Sequence, residues 1–406
     1  MKAAWKEYRF GDCAKLLSGG TPSKSRNDYW EGDLPWVSCK DMKVDRIYDA
    51  EDHLSPLGAE NGTRIVPEST ILFVVRGMIL AKEFPVAITK RPVAFNQDLK
   101  AVTCADFVET EFLYYWLKAN SYEILGRADE AGHGTKRIQT DRLLSLLIRI
   151  PSPLVQRQIA GILSAYDDLI EDNQRRIKIL EEMARSLYRE WFVYFHFPGH
   201  DKVKMVSSPL GPIPQGWEVK KLGEIADVNR AQINPRTAPD EVHYIDISSV
   251  SPGQINAIIT FPFAEAPGRA RRIVSHGDIL WSCVRPNRRS HALVMQPALN
   301  TISSTGFAVL TATKVPFTFL YFATTTDDFV TFLANNATGA AYPAVTAKTF
   351  EDAEMLVPPT PLLKKFGEAT IPMAEQIHIF QRQVQNLRRT RDLLLPWLLS
   401  GQVNVA

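Results

Sequence analysis

Between Ala266 and Ser290 the chain carries six arginines, Arg269, Arg271, Arg272, Arg285, Arg288 and Arg289, against one acid, Asp278. Clustered guanidinium groups supply what phosphate contact and guanine-edge reading require: a charge that does not titrate and a rigid fork of N–H donors. A charge run also serves as a solvated face, and composition alone does not choose between the two. Elsewhere the basic residues come in small groups, Lys24 with Arg26, Lys90 with Arg91, and Lys136 with Arg137. Arg76 follows the apolar run Ile71–Val75, which puts it at a strand end facing a loop. Asn96 and Gln97 carry amides suited to bidentate contact with adenine, although amides in loops more often cap turns. Should the cations serve nucleic acid, the candidates for DNA contact are Lys24, Arg26, Lys40, Arg76, Asn96, Gln97, Lys136 and Arg137 in the first part of the chain. In the second part they are Arg230, Arg269, Arg271, Arg272, Arg285, Arg288, Arg289 and Asn300.

Catalytic patterns find no support. There is no Gly-x-x-x-x-Gly-Lys-[Ser/Thr] phosphate loop. Val357-Pro358-Pro359-Thr360 superficially resembles the Pro-Pro core of adenine methyltransferases but lacks the preceding Asp, Asn or Ser and the following aromatic, so it reads as a strand exit. Glu218-Val219-Lys220 has a nuclease-like spacing without a paired upstream carboxylate. His196 and His200 cannot share a helical face across Pro198-Gly199, and no cysteine pair accompanies them. Asp167, Asp168, Glu171 and Asp172 read as a solvated helix face and not as a metal cluster. No catalytic residue, metal site or cofactor site is expected in the chain.

The elements that must position these residues are written twice. Trp5 and Arg9-Phe10-Gly11-Asp12 answer to Trp217 and Lys221-Leu222-Gly223-Glu224, and Ile71-Leu72-Phe73 to Ile279-Leu280-Trp281. Phe95-Asn96 answers to Leu299-Asn300, Phe112-Leu113-Tyr114-Tyr115 to Phe319-Leu320-Tyr321-Phe322, and Ile150-Pro151 to Val357-Pro358. The offset, about 208 residues, is far above the roughly 20–50 residues of a solenoid unit, so each copy is a domain. The 406 residues are then divided into a module over 1–153, a long helix over 154–197, a Pro/Gly linker over 198–216, a second module over 217–360 and a closing helix over 361–402. Within each module short strands (69–75, 86–89, 278–281, 306–310, 354–357) mix with helices starting near Thr110 and Pro316, an α/β or α+β pattern.

Ile159, Leu163, Tyr166, Ile170, Asn173, Ile177, Leu180, Ala184, Leu187 and Trp191 alternate spacings of four and three, a heptad seam that argues for a coiled coil. Asn173 is the polar seam residue that fixes register. In the closing helix Ile377, Phe380, Val384, Leu387, Leu394 and Leu398 hold the seam, Arg391 interrupts it, and Pro372 and Pro396 are expected to start, kink or end it. Two such helices, one after each module, are expected to pair antiparallel. About 38 residues at ~1.5 Å per residue make a rod of about 57 Å, enough to span half-sites roughly 34–36 Å apart.

Hydrophobic content of 45% and charged content of 23% are those of a soluble globular protein. No apolar run approaches a bilayer span, the start Met1–Glu7 lacks a signal-peptide core, and Cys13, Cys39, Cys104 and Cys283 have no C-x-x-C spacing. A cytoplasmic, reduced protein is expected.

The ordered set of motifs resembles the DNA-specificity subunits of type I restriction–modification systems over essentially the whole chain. Gly19-Gly20-Thr21-Pro22-Ser23-Lys24, Tyr29-Trp30 and Leu34-Pro35-Trp36-Val37-Ser38 resemble a motif of the family's target-recognition domains, and Phe95–Ala101 another. Glu182–Phe192 and Leu394–Gly401 resemble the ends of its central and distal conserved helices. The second module departs, with Asn229–Pro235 in place of Gly-Gly-Thr-Pro-Ser and Thr301-Ile302 after Asn300. The resemblance implies two target-recognition domains in pseudo-twofold arrangement, separated by two antiparallel coiled-coil helices that act as a ruler. It also implies a bipartite, asymmetric double-stranded DNA target, two modification subunits and joining restriction subunits. S-adenosylmethionine, ATP and Mg would sit on those partners. The alternatives are a free-standing DNA-binding regulator and a coiled-coil scaffold that reads no sequence.

Overall fold

A computed structural model describes residues 5–130 and 134–403. Met1–Ala4 of the N-terminal stretch read above lie outside the described residues. The chain divides into two compact units, one of residues 1–172 with 384–406, the other of residues 173–383.

The first unit opens with strand Lys6–Arg9, antiparallel to Leu147–Ile150. A four-stranded sheet runs Asp52–Leu54, Leu34–Val37, Val93–Phe95, Arg64–Val66 in spatial order, its middle pair parallel. A five-stranded sheet runs Ala14–Ser18, Leu99–Cys104, Ile71–Val74, Val86–Thr89, Arg46–Ile47. Ile71–Val74 and Val86–Thr89 are buried at every position, which is why neither alternates between apolar and polar residues, the buried Thr89 hydroxyl being hydrogen-bonded to the Pro67 carbonyl. Helix Thr110–Ala119 covers this sheet with six consecutive buried side chains from Phe112 to Leu117.

The second unit repeats that topology except for the edge strand Arg46–Ile47, which has no counterpart in its sheets. Its sheets run Ile259–Pro262, Glu241–Ile245, Thr301–Ser304, Ala270–Ile273 and Ala226–Val228, Phe307–Ala312, Ile279–Ser282, His291–Leu293, again with one parallel pair at the centre of the first. Glu218–Lys221 pairs with Glu354–Val357 as the first strand pairs with its partner in the other unit. The repeat extends to detail: the Arg9 N–H donates to Asp12 Oδ2 at 3.2 Å and the Lys221 N–H to Glu224 Oε2 at 2.7 Å, so each short turn is closed by a carboxylate three residues on.

The first long helix spans Pro153–Tyr188 and continues as a π-turn over Arg189–Val193; the second spans Thr360–Leu399. It runs on through Pro372 and Pro396, so neither proline starts or ends it. Segment 198–216, read as linker, holds a hairpin of Met205–Ser208 with Gly211–Pro214.

The seam is buried at Ile159, Leu163, Ile170, Asn173, Ile177 and Ala184, and partly buried at Tyr166, Leu180, Leu187 and Trp191. On the partner helix Val384 and Leu398 are buried, and Ile377, Phe380, Leu387 and Leu394 partly so. In the first unit Leu395, Leu398 and Leu399 join Ile159 and Leu163 in the module's own core. In the second, Ala184, Tyr188 and Phe192 join Phe366 and Phe319 in the other. The antiparallel sense is read within each unit: Asp167 meets Arg391 in the first, and in the second Asn173 Nδ2 donates to Gln383 Oε1 at 3.1 Å.

Two readings of this seam are corrected. Arg391 does not interrupt it but lies in it, 8% exposed, with Nη1 donating to Asp167 Oδ1 at 2.5 Å. Asp167 is likewise no part of a solvated face: it is 6% exposed and also accepts from the Tyr115 hydroxyl at 2.7 Å. A buried charge persists only when paired, and the i+3/i+4 pattern could not show that its partner lies 224 residues away. Asp168 and Glu171 bind Arg46 at 2.6 and 2.9 Å.

Candidate nucleic-acid interface

In the first unit the basic candidates fall in two places. The Gly19–Lys24 segment packs along the Val93–Phe95 strand, where the Gly20 N–H donates to the Phe95 carbonyl at 2.9 Å. A Cβ at Gly19 would lie 2.0 Å from the Phe95 oxygen, and one at Gly20 2.0 Å from the Gly62 oxygen. Only glycine allows that backbone approach, which is the reason for the Gly-Gly pair. The Trp36 and Trp30 indoles donate to the Gly20 and Ser23 carbonyls at 3.0 and 3.1 Å. Edge to face at 5.1 Å, the two rings hold the Lys24 ammonium 5.5 and 5.8 Å from their centroids. Gln97 is exposed beside them and accepts from the Thr21 hydroxyl at 2.7 Å. Thus the two motifs read separately in the sequence form one surface.

Arg26 stacks on Tyr29 at 4.7 Å but is already bound to Asp28, and Lys40 is bound to Glu51 and Asp52. Asn96 is placed otherwise than a surface reading expects. It is 7% exposed and its Oδ1 accepts the Asp98 N–H at 3.1 Å, so the oxygen caps the turn.

The second place is a three-stranded sheet of Ala128–Glu130, Lys136–Ile138 and Arg76–Gly77. Arg137 stands directly opposite Arg76, and like charges so placed destabilise a strand pair unless an anion lies between them. Lys100 joins them: its ammonium donates to the Ser18 hydroxyl at 2.5 Å, and burial followed by the charge of Arg137 lowers its pKa. Among the described residues none of Arg76, Lys100, Lys136 and Arg137 has a carboxylate within salt-bridge distance. Lys100 was missed as a candidate, because an isolated lysine on a strand carries no signal until the fold sets it beside Arg137.

The second unit uses the same position with other residues. Where Arg76–Gly77 pairs with Lys136–Ile138, Val284 and Thr338 form bridges to Ala344. The next residue, Arg285, has φ +51, as its counterpart Gly77 also has positive φ. Its guanidinium stacks on Tyr342 at 4.6 Å and donates to the Ala341 carbonyl at 3.2 Å. Arg288 is exposed with no acidic partner among the described residues, while Arg289, at φ +56, binds Asp327 at 2.5 Å. Two non-glycine residues in the left-handed region within five positions store strain that only a densely held loop retains.

Arg269, Arg271 and Arg272 flank or lie on the edge strand Ala270–Ile273. Arg269 binds Asp246 at 3.0 Å, Arg271 lies 5.3 Å from the Phe263 ring, and Arg272 is partly buried with Nε unpartnered. Burial also lowers the pKa of Arg272. Arg230 and Asn300 are exposed, the latter at φ +62. The one acid of the arginine run, Asp278, is 1% exposed and spent internally on the Thr311 hydroxyl and the Ser275 N–H, both at 2.7 Å. No acid of the run itself therefore offsets its arginines, although Asp246 and Asp327 from outside it pair with Arg269 and Arg289.

Among the described residues no group of three or more His, Cys, Asp or Glu side chains could hold a metal ion, and no helix is long and apolar enough to cross a membrane.

Residues 2–182 match the family described as the type I restriction modification DNA specificity domain. Over 99% of the chain, and 94% of the relative, the sequence is 26% identical to the type I restriction enzyme MjaIX specificity subunit of Methanocaldococcus jannaschii. It is 32% identical to the EcoR124I/EcoR124II specificity subunit of Escherichia coli over 49% of the chain and 50% of that relative. The crystal structure of a type I restriction–modification S subunit from M. genitalium has the same fold, with TM-score 0.62 and 16% identity, covering 98% of this chain and 96% of that one. The chain is thus similar over nearly its whole length to specificity subunits of type I restriction–modification systems, and its first module matches their DNA specificity domain.

Proposed function

We propose that the chain reads a bipartite, asymmetric double-stranded DNA target, one half-site per module, with the paired helices setting the distance between them. One observation carries this reading: the same place in the repeated module bears cations without acidic partners among the described residues in both copies, Arg76, Lys136 and Arg137 in one, Arg285 and Arg288 in the other, with Arg76, Arg137 and Arg288 exposed and Lys136 and Arg285 half-buried. Shared position with unlike residues is what two heads of one ancestry reading different bases require. The aromatic rings under Lys24 and Arg285 orient those cations instead of leaving them as mobile surface charge.

The chemistry is carried by partners in this reading. Two modification subunits bring S-adenosylmethionine, restriction subunits bring ATP and Mg, and the assembly works in the cytoplasm. A net charge of +2 suits a reader that needs partners for tight binding. The test is affinity purification of the tagged full chain from its host, followed by mapping of methylated adenines in host DNA with and without the gene. Co-purification of a methyltransferase and loss of methylation at one split motif are expected. A chain that purifies alone and leaves the methylation map unchanged sinks the reading.

A further inference from the structure

The helical framework repeats with an offset of 207 residues: Ile159 and Phe366, Ile177 and Val384, Tyr188 and Leu395 are buried counterparts. By the same offset Asp167 corresponds to Ala374, Arg391 to Ala184, and Tyr114-Tyr115 to Tyr321-Phe322. In the first unit this place is filled by the Arg391–Asp167 pair, the Tyr115 hydroxyl and the Lys118–Asp45 pair. In the second unit both charged side chains are replaced by methyl groups, and a cavity of about 180 Å³ stands there. Ala184, Ala374, Tyr321, Phe322 and Ile377 wall it, and Arg185 and Glu181 also line it.

A dry apolar void would need no occupant, but this one is not wholly apolar. His291 and His378 both line it, and His291 Nδ1 and His378 Nε2 find no hydrogen-bond partner. His291 is 6% exposed and held between Trp281 at 4.9 Å and Tyr321 at 5.6 Å, so its ring cannot turn away to find one. Burial, then Arg185 and Arg289, lower its pKa to about 4, leaving a neutral imidazole near neutral pH. Aromatic walls select a flat molecule, and a neutral imidazole offers one donor and one acceptor. The volume matches: an engineered apolar cavity of ~150 Å³ accepts benzene.

We infer that this cavity is a binding site for a small uncharged aromatic heterocycle, whose ring nitrogens complete the hydrogen bonding of His291 and His378. Arg289 also lines the cavity, but Arg285 and Arg288, on which the DNA reading rests in this unit, do not, so failure of the site would leave that reading untouched.

The probes are benzimidazole and its nitrogen-free analogue indene, titrated into the full chain by calorimetry and ligand-observed NMR. Benzimidazole is expected to bind at least tenfold more tightly than indene. Ala374→Leu, which fills the space, should weaken benzimidazole at least tenfold, and Ala184→Arg with Ala374→Asp, which imports the first unit's ion pair, should abolish binding. If the double variant does not fold, Ala374→Leu decides. No binding to wild type, equal affinity for indene, or undiminished binding to Ala374→Leu each overturns the inference, the second by reducing the site to an apolar void.

Discussion

Two buried polar residues make opposite demands on their surroundings. Arg391 is buried, which opposes its charge, yet the hydrogen bond and charge of Asp167 outweigh that and hold its pKa above the ordinary value. Removing one partner of such a pair strands the other, at about 3–5 kcal/mol. Asp167→Asn is therefore expected to lower the melting temperature sharply, whereas Asp167→Leu with Arg391→Met should recover most of the loss. Equal melting of wild type and the single variant would contradict the pairing. His291 is the reverse case, stable only when neutral. Its folded pKa of about 4 lies below the ordinary 6.5, so the unfolded chain binds the proton first as pH falls. Its contribution is complete above about pH 6.5 and is lost progressively toward pH 4, by at most about 3 kcal/mol. Thermal melts across that window should flatten in His291→Phe, and an unchanged slope would show that another group is responsible.

Among the elements, the Gly19–Lys24 loop and the helix seam are held by contrasting means. The loop depends on backbone contact, and an added methyl at Gly20 meets the Gly62 carbonyl oxygen and not a side chain that can swing away. Gly20→Ala is expected to destabilise the first unit by about 1–3 kcal/mol, as overpacking does, and to quench the coupling of Trp30 with Trp36 seen in near-ultraviolet circular dichroism. An unaltered spectrum would mean that the loop relaxes without cost. The seam depends on side chains, and its polar member Asn173 meets Gln383. Burying an amide there trades stability for a single register, since an apolar seam tolerates slippage. Its neighbours Ile170 and Ile177 are 6% and 8% exposed, consistent with a tightly covered seam on either side of it.

For the whole molecule, the governing quantity is how many cations remain free to meet phosphate. Arg26, Lys40, Arg269 and Arg289 are already bound to carboxylates, and surface pairs of this kind release their partners at little cost. Arg285 and Arg288 have no such partner among the described residues. Reversing both, Arg285→Glu with Arg288→Glu, is expected to weaken DNA binding by the assembled complex at least tenfold at physiological salt without unfolding the protein. The salt dependence of log K should fall by about 2, one unit per lost phosphate contact. Unchanged affinity would remove this loop from the interface. Reversing Arg76 and Arg137 should weaken the other half-site alone, so the two defects should map to different halves of the target.

Much of this was legible in the chain itself. Local and periodic signals lie within a few residues of one another: the duplicated turn at Arg9 and Lys221, the buried runs Ile71–Val74 and Ile279–Ser282, and the heptad spacing of both helices. These determined the two modules, their α/β character and the antiparallel helices, because a strand or helix must bury its apolar face whatever surrounds it. Only the tertiary structure decided which polar residues are spent and which are free. Asn96 caps a turn, Asp167 holds Arg391 across 224 residues, Asp278 is buried beneath the arginine run, and Lys100 becomes part of a cluster only because Arg137 lies beside it. Charge and hydrogen bonding act through space over a few ångströms, and sequence separation carries no record of that distance.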